Sequence, residues 1–223
     1  MQNTHRQDVR DFTTACLATV AELFNMVTEI LLNKGLSIRP PYITPQHQVE
    51  FVKKQSFLSG WFGEKRPLVA LEISHLATNI QTNAMGRALA IGFAQTAKTA
   101  DVRDYMVRVK EIAKKHIEIF HATLTEESLP APMTWDSDIL DSTKPPFSDK
   151  LMMYHICLMY ITGIGNYGTA LSQSIRKDLI QKYTRLISEV GLLAEDGANL
   201  TIKHGWMECP PQAPPNDLMN REQ

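Results

Sequence analysis

RQDVRDFTTACLATVAELFNMVTEILLNKG, residues 6–35, carries the clearest period in the chain. Val9, Phe12, Cys16, Val20, Leu23, Val27 and Leu31 recur every three or four positions, the spacing that lines one face of an α-helix. Lys34-Gly35 supplies a basic last turn and a glycine cap. The same design returns near the other end. Residues 6–41 align without gaps on residues 176–211 at an offset of 170. Arg6/Arg176, Asp8/Asp178, Thr14/Thr184, Val20/Val190, Leu23/Leu193, Gly35/Gly205, Pro40/Pro210 and Pro41/Pro211 are identical. Average composition predicts roughly two identities over such a length. Amphipathic helices resemble one another, but that does not explain the shared Gly and Pro-Pro beyond both helices. The first helix therefore reads as the last helix of an earlier bundle whose first three helices are absent.

Between the two copies, proline, glycine and cap residues divide the chain. Pro67 is expected to open a second helix running to about Thr99. Asp101 caps a third over Val102–Leu124, with the stripe Val102, Tyr105, Val109, Ile112, His116 and Phe120. Thr125–Phe147 is a long loop with four prolines. Ser148 caps a fourth helix through Ser172, and a fifth runs from about Ser174 to His204. No stretch alternates as a strand would. The expected fold is all-α, a ferritin-like four-helix bundle over residues 67–207 preceded by one extra amphipathic helix in 1–35. Residues 36–66 form a connector, with a short helix at Gln48–Phe57, and 208–223 a disordered Pro-rich tail.

Composition narrows function by exclusion. A 43% hydrophobic and 21% charged chain is globular, and a net charge of −1 excludes a strongly basic nucleic-acid binder. Cys16, Cys157 and Cys209 are too few and scattered for a disulfide framework. The opening MQNTHRQD is polar and reads as no secretory leader; Leu151–Gly165, taken as the longest apolar stretch, is short for a membrane span. A cytoplasmic protein is expected.

The run RPPYITPQHQVEFVKKQSFLSGWFGEKRP, the run LPAPMTWDSDILDSTKPPFSDKLMMYH, and AEDGANLTIKHGW with the later PPQA resemble one family. It is the uncharacterised bacterial family known as domain of unknown function 3231, from spore-forming Gram-positive bacteria. The resemblance covers nearly the whole chain and implies tandem ferritin-like bundles, here with the first one mostly missing. It implies no particular activity.

Motifs with chemical meaning are few. Gly163-Ile-Gly165-Asn-Tyr-Gly168 spells a dinucleotide fingerprint, but helices rather than a strand surround it. Asp136, Asp138 and Asp141 lack the Gly and Glu of a calcium loop. Glu118 and His121 have Glu-x-x-His spacing, yet Glu118 faces away from the apolar stripe. Glu72-Ile-Ser-His75 fits better. With Asn79, Asn83 and Gly86 it forms a narrow polar stripe between two apolar seams, either a buried polar network or an exposed groove. His116 and His155 fall in the apolar stripes of their helices, and Glu189 flanks the last one. Glu72, His75, His116, His155 and Glu189 are the candidate ligands for one divalent metal, iron, manganese or zinc. A four-helix site with two metals needs four carboxylates. The levels of the five agree if the helices run up-down-up-down. If the long loop instead crosses the bundle, His155 and Glu189 lie ~10–15 Å away from the rest.

No nucleophile motif is present, so the leading expectation is a non-catalytic structural or interaction module in the cytosol or the developing spore. A metal-binding ferritin-like bundle, an oxidoreductase among them, is the second reading. A small-ligand pocket on the stripe, with Asn79 and Asn83 as contacts, is the third. The seam of the first helix needs a cover, either the bundle of its own chain along Leu71, Met85 and Leu89 or the same helix of a second chain; of the two, a homodimer through residues 6–34 is expected.

Overall fold

The computed structural model describes residues 5–37, 41–43, 48–60 and 65–213. Five α-helices account for most of them: α1 (Gln7–Asn33), α2 (Ala70–Thr96), α3 (Ala100–Glu126), α4 (Asp149–Gln173) and α5 (Lys177–Lys203). Two single 3₁₀ turns, Gln55–Leu58 and Asp136–Asp138, interrupt the connections, and no strand occurs among the described residues. The chain divides into two compact units, Met1–Arg39 and Pro40–Gln223.

In the first unit, α1 ends as its sequence predicts. Gly35 takes φ +67°, its N–H bonds Leu32 O at 3.0 Å, and the Leu36 N–H bonds Leu31 O at 2.9 Å. That pair is the Schellman closure that glycine permits. No residue of α1 is buried. The helix is also long and apolar enough to cross a membrane, by length and composition alone.

The second unit is a four-helix bundle of α2–α5. Around the bundle the order is α2, α3, α5, α4, so α3 and α4 sit on a diagonal. The loop between them therefore crosses the length of the bundle. At one end Asp149, in the first turn of α4, accepts from Lys98 N (3.0 Å), Thr99 N (2.8 Å) and the Thr99 hydroxyl, tying α4 to the α2–α3 turn. At the other end Glu127, just past α3, meets Arg176 before α5 at 2.6 Å. This is the crossover topology, and it resolves the alternative left open by sequence.

The antiparallel α3–α5 seam carries a polar ladder at seven-residue steps along α5. Lys182 donates to Thr123 (2.7 Å), Glu189 accepts from Lys115 (2.8 Å), Asp196 accepts from Arg108 (2.7 Å) and Lys203 donates to Asp101 (2.8 Å). The Lys203 ammonium, helped by His204, holds the Asp101 carboxyl down to about 2. Inside the ladder, Met106, Phe120, Met152, Ile156, Leu179 and Leu186 are fully enclosed. Each such side chain contributes ~1.5–3 kcal/mol.

Four expectations need correction. Asp101 does not cap α3, which begins at Ala100 with Thr99 at the N-cap position. Pro67 does not open α2, which begins at Ala70 because Glu72 reaches back to bond the Val69 N–H at 3.1 Å. Residues 48–57 hold no α-helix; the 3₁₀ turn Gln55–Leu58 is the regular structure there among the described residues. Ser174 ends α4 rather than starting α5, and Arg176 takes the N-cap position. Ser148 caps α4 as expected, accepting from Leu151 N at 3.2 Å. The tail shows no helix or strand through residue 213; the rest of the expected tail, 214–223, lies outside the described residues.

Candidate functional site

The polar stripe of α2 lies inside the bundle. Glu72 and Asn79 are 1% exposed, Gly86 is buried, and His75 and Asn83 are half-buried. The stripe faces α4: His75 Nε2 pairs with Gln173 Oε1 at 2.7 Å, Asn83 Nδ2 donates to the Tyr167 hydroxyl at 2.7 Å, and Met159 packs against Gly86. Of the two sequence alternatives, this is the buried network.

Glu72 sits at the closed end of that network. Its carboxylate accepts both Arg66 Nη atoms (2.9 and 2.8 Å) and the backbone N–H groups of Val69, Ile175 and Arg176 (3.1, 3.1 and 3.0 Å). Burial pushes the carboxyl up, but the Arg66 guanidinium and the N–H groups of Val69 and Arg176 outweigh it and hold it below the usual carboxylate range. One side chain thus caps the starts of both α2 and α5. Arg176, with no exposed surface, completes the cluster by forking onto Asp178 (2.8 and 3.0 Å) and reaching Glu127 and Arg66 O. Five hydrogen bonds fill the acceptor sites of Glu72 and leave little room for a cation.

A second polar centre lies halfway along the bundle. His116 is fully buried. Its Nδ1 pairs with the Tyr167 hydroxyl at 2.9 Å and its Nε2 with Glu189 at 3.2 Å. Burial lowers its pKa more than Glu189 raises it, so the imidazole is held neutral. Glu189 is penalised by burial, but Lys115 and His116 bring its carboxyl below the ordinary range. A cavity of about 70 Å³ adjoins this chain of groups, bordered by Asn83, His116, Tyr160, Gly163 and Tyr167. It is sized for a few water molecules.

The structure therefore unites only part of the predicted ligand set. His116 and Glu189 meet, contrary to the level count for a crossover bundle. The α3–α5 register, marked by the bonds of Glu189 to both Lys115 and His116, sets the two at one height. Glu72 is engaged by Arg66, His75 by Gln173. His155 is a correction: instead of facing the core it is exposed, with its ring edge-on to Phe93 at 6.1 Å. Among the described residues no three His, Cys, Asp or Glu side chains converge as a metal ion requires. The pair that does meet, His116 and Glu189, shares its carboxylate with Lys115. Glu118 faces solvent as expected, His121 is exposed as well, and Gly163–Gly168 runs inside α4 with no strand before it.

Sequence reasoning missed Arg66, Asp149, Tyr167 and Arg176. Only Arg176 left a trace, through its identity with Arg6 in the repeat.

Comparison with known proteins agrees with the fold. A family model described as "Protein of unknown function (DUF3231)" matches residues 56–218. The crystal structure of a candidate spore coat protein from Bacillus halodurans C-125 superposes with a TM-score of 0.59 at 18% identity. The superposition covers 67% of this chain and 98% of that one. No curated protein matches the sequence.

Proposed function

We propose that this chain, which belongs to the DUF3231 family of proteins of unknown function, is a non-catalytic structural or interaction module associated with the spore. The carrying observation is the use made of its interior polar groups. Glu72 bonds two helix starts and Arg66, and His116 is closed between Tyr167 and Glu189. Each is spent on joining helices, and neither presents a free ligand atom toward the other. The spore association rests on the fold likeness to a candidate spore coat protein.

The test is elemental analysis and thermal melting of protein purified without a metal-affinity tag. Substoichiometric metal, and no shift in Tm on adding iron, manganese or zinc, supports the structural reading. One equivalent of metal that raises Tm, and is lost in His116→Leu, overturns it in favour of a metal-binding bundle.

A further inference from the structure

α1 and α5 are the same helix in length and termini. Both have 27 residues, and their bounds differ by 170 at each end. Both start with the same fork: Arg6 Nε and Nη2 reach Asp8 at 3.1 and 2.5 Å, as Arg176 reaches Asp178 at 2.8 and 3.0 Å. Both end on a left-handed glycine, Gly35 or Gly205, with the same pair of closing bonds. The buried seam of α5, Leu179, Tyr183, Leu186, Val190, Leu193 and Gly197, corresponds to Val9, Thr13, Cys16, Val20, Leu23 and Val27. In α1 these are unburied.

Two differences show what α1 does not fit. At the position of Gly197 the Tyr105 ring and hydroxyl occupy the space a Cβ would need, and α1 has Val27 there. The rungs Lys182, Glu189 and Asp196 that pair α5 with α3 become Phe12, Thr19 and Met26. α1 therefore fits the α5 place in the bundle of another copy poorly.

The seam residues 9, 13, 16, 20, 23, 27 and 30 alternate steps of four and three, a heptad pattern with apolar or small side chains at a and d. After Arg10, the flanking e positions hold Leu17, Phe24 and Leu31, and the g positions hold Phe12, Thr19 and Met26. A two-stranded coil carries charge at e and g; here a pair would leave these large side chains in water. The apolar arc spans about half the helix circumference, the breadth that two neighbours cover in a four-helix bundle. The acidic residues Asp8, Asp11, Glu22 and Glu29 lie at the outer c and f positions, and Arg10, at the first e position, is the one basic residue of the helix, so the seam itself carries no like-charge repulsion between identical helices. That polar face is acidic rather than basic, which disfavours an anionic membrane surface, and Glu22 lies mid-helix, costly in a span.

We propose that α1 is a self-assembly helix, and that four copies of this chain join through a bundle of four α1 helices. This rests on the reading of the chain as a structural module and names its partner as itself; the homodimer expected from sequence becomes half of that assembly.

Sedimentation equilibrium of the full chain tests it, with Val20→Glu in the seam and Phe24→Glu on the flank. The expected mass is four times the 25.2 kDa of one chain. Both variants should fall to monomers, while circular dichroism shows the bundle melting at an unchanged temperature. A wild-type monomer overturns the proposal, as does binding of the wild type to phosphatidylcholine–phosphatidylglycerol vesicles through residues 7–33. A dimer indifferent to Phe24→Glu overturns the four-helix arrangement. None of these outcomes touches metal content, so they are separable from failure of the structural reading.

Discussion

Replacing Glu72 with alanine removes one side chain and uncouples two helix starts. Five hydrogen bonds end on this carboxylate. The variant leaves the Arg66 guanidinium, which is 10% exposed, with no counter-charge and only the Phe57 and Pro67 carbonyls as acceptors, and it strands the N–H groups of Val69, Ile175 and Arg176. Removing one partner of a buried ion pair costs about 3–5 kcal/mol, and each buried N–H left unpaired about 1–3 kcal/mol. These terms overlap because relaxation and water re-satisfy some donors, so the expected loss is about 4 kcal/mol. For a bundle of this size that lowers Tm by roughly 10 °C. Glu72→Gln keeps the shape and one acceptor and should lose about half as much. Urea denaturation followed by circular dichroism at fixed pH measures both. The folded carboxyl titrates below its ordinary 4.5, so its contribution is complete above that pH and lost as pH falls through the folded value. The stability difference between wild type and Glu72→Ala should accordingly shrink in acid. A loss under 1 kcal/mol at neutral pH, or a difference that does not depend on pH, refutes the clamp.

Three further outcomes follow from named contacts. His116 titrates below its ordinary 6.5 in the fold, so the unfolded chain binds a proton first as pH drops; stability should decline below pH 6.5, by at most ~1.4 kcal/mol per pH unit, and His116→Gln should flatten that slope in pH-dependent urea titrations. Gly197→Ala should cost about 1–3 kcal/mol through collision with Tyr105 and be partly rescued by Tyr105→Phe, read as a double-mutant cycle. Asp149→Ala should cost about 1–2 kcal/mol by removing the acceptor of Lys98 N and Thr99 N; an unchanged midpoint would show that the loop end is held by other contacts.

The helices were legible because their signals are local. The period of Val9 to Leu31, the Ser148 cap and the two closing glycines each report on a few neighbouring residues, and all held. Boundaries failed where a distant group decided them. α2 starts at Ala70 rather than Pro67 because Glu72 bonds back to Val69, and α5 starts late because the same carboxylate caps Arg176. The interior was legible in part. Its polar stripe could be drawn from spacing, but the meeting of His116 with Glu189 depends on the α3–α5 register, which no local pattern encodes. His155 misled because α4 is apolar on its outer face as well, with Tyr154, Leu158 and Ile161 exposed, so its stripe does not mark the core. Arg176 was invisible as a buried charge since only the assembled bundle brings Asp178, Glu127 and Arg66 O around it.

On the proposed assembly, the chain joins a self-sufficient bundle to a helix that is stable only when copies associate. Hydrogen exchange of the full chain, measured across a wide range of protein concentration, addresses both halves at once. Amides of residues 73–203 within the helices of the bundle should be protected at every concentration. Those of residues 11–33 should exchange rapidly in dilute solution, since a lone helix with no buried face is marginal in water, and become protected as the protein is concentrated. Protection of residues 11–33 that is strong and independent of concentration would contradict the account.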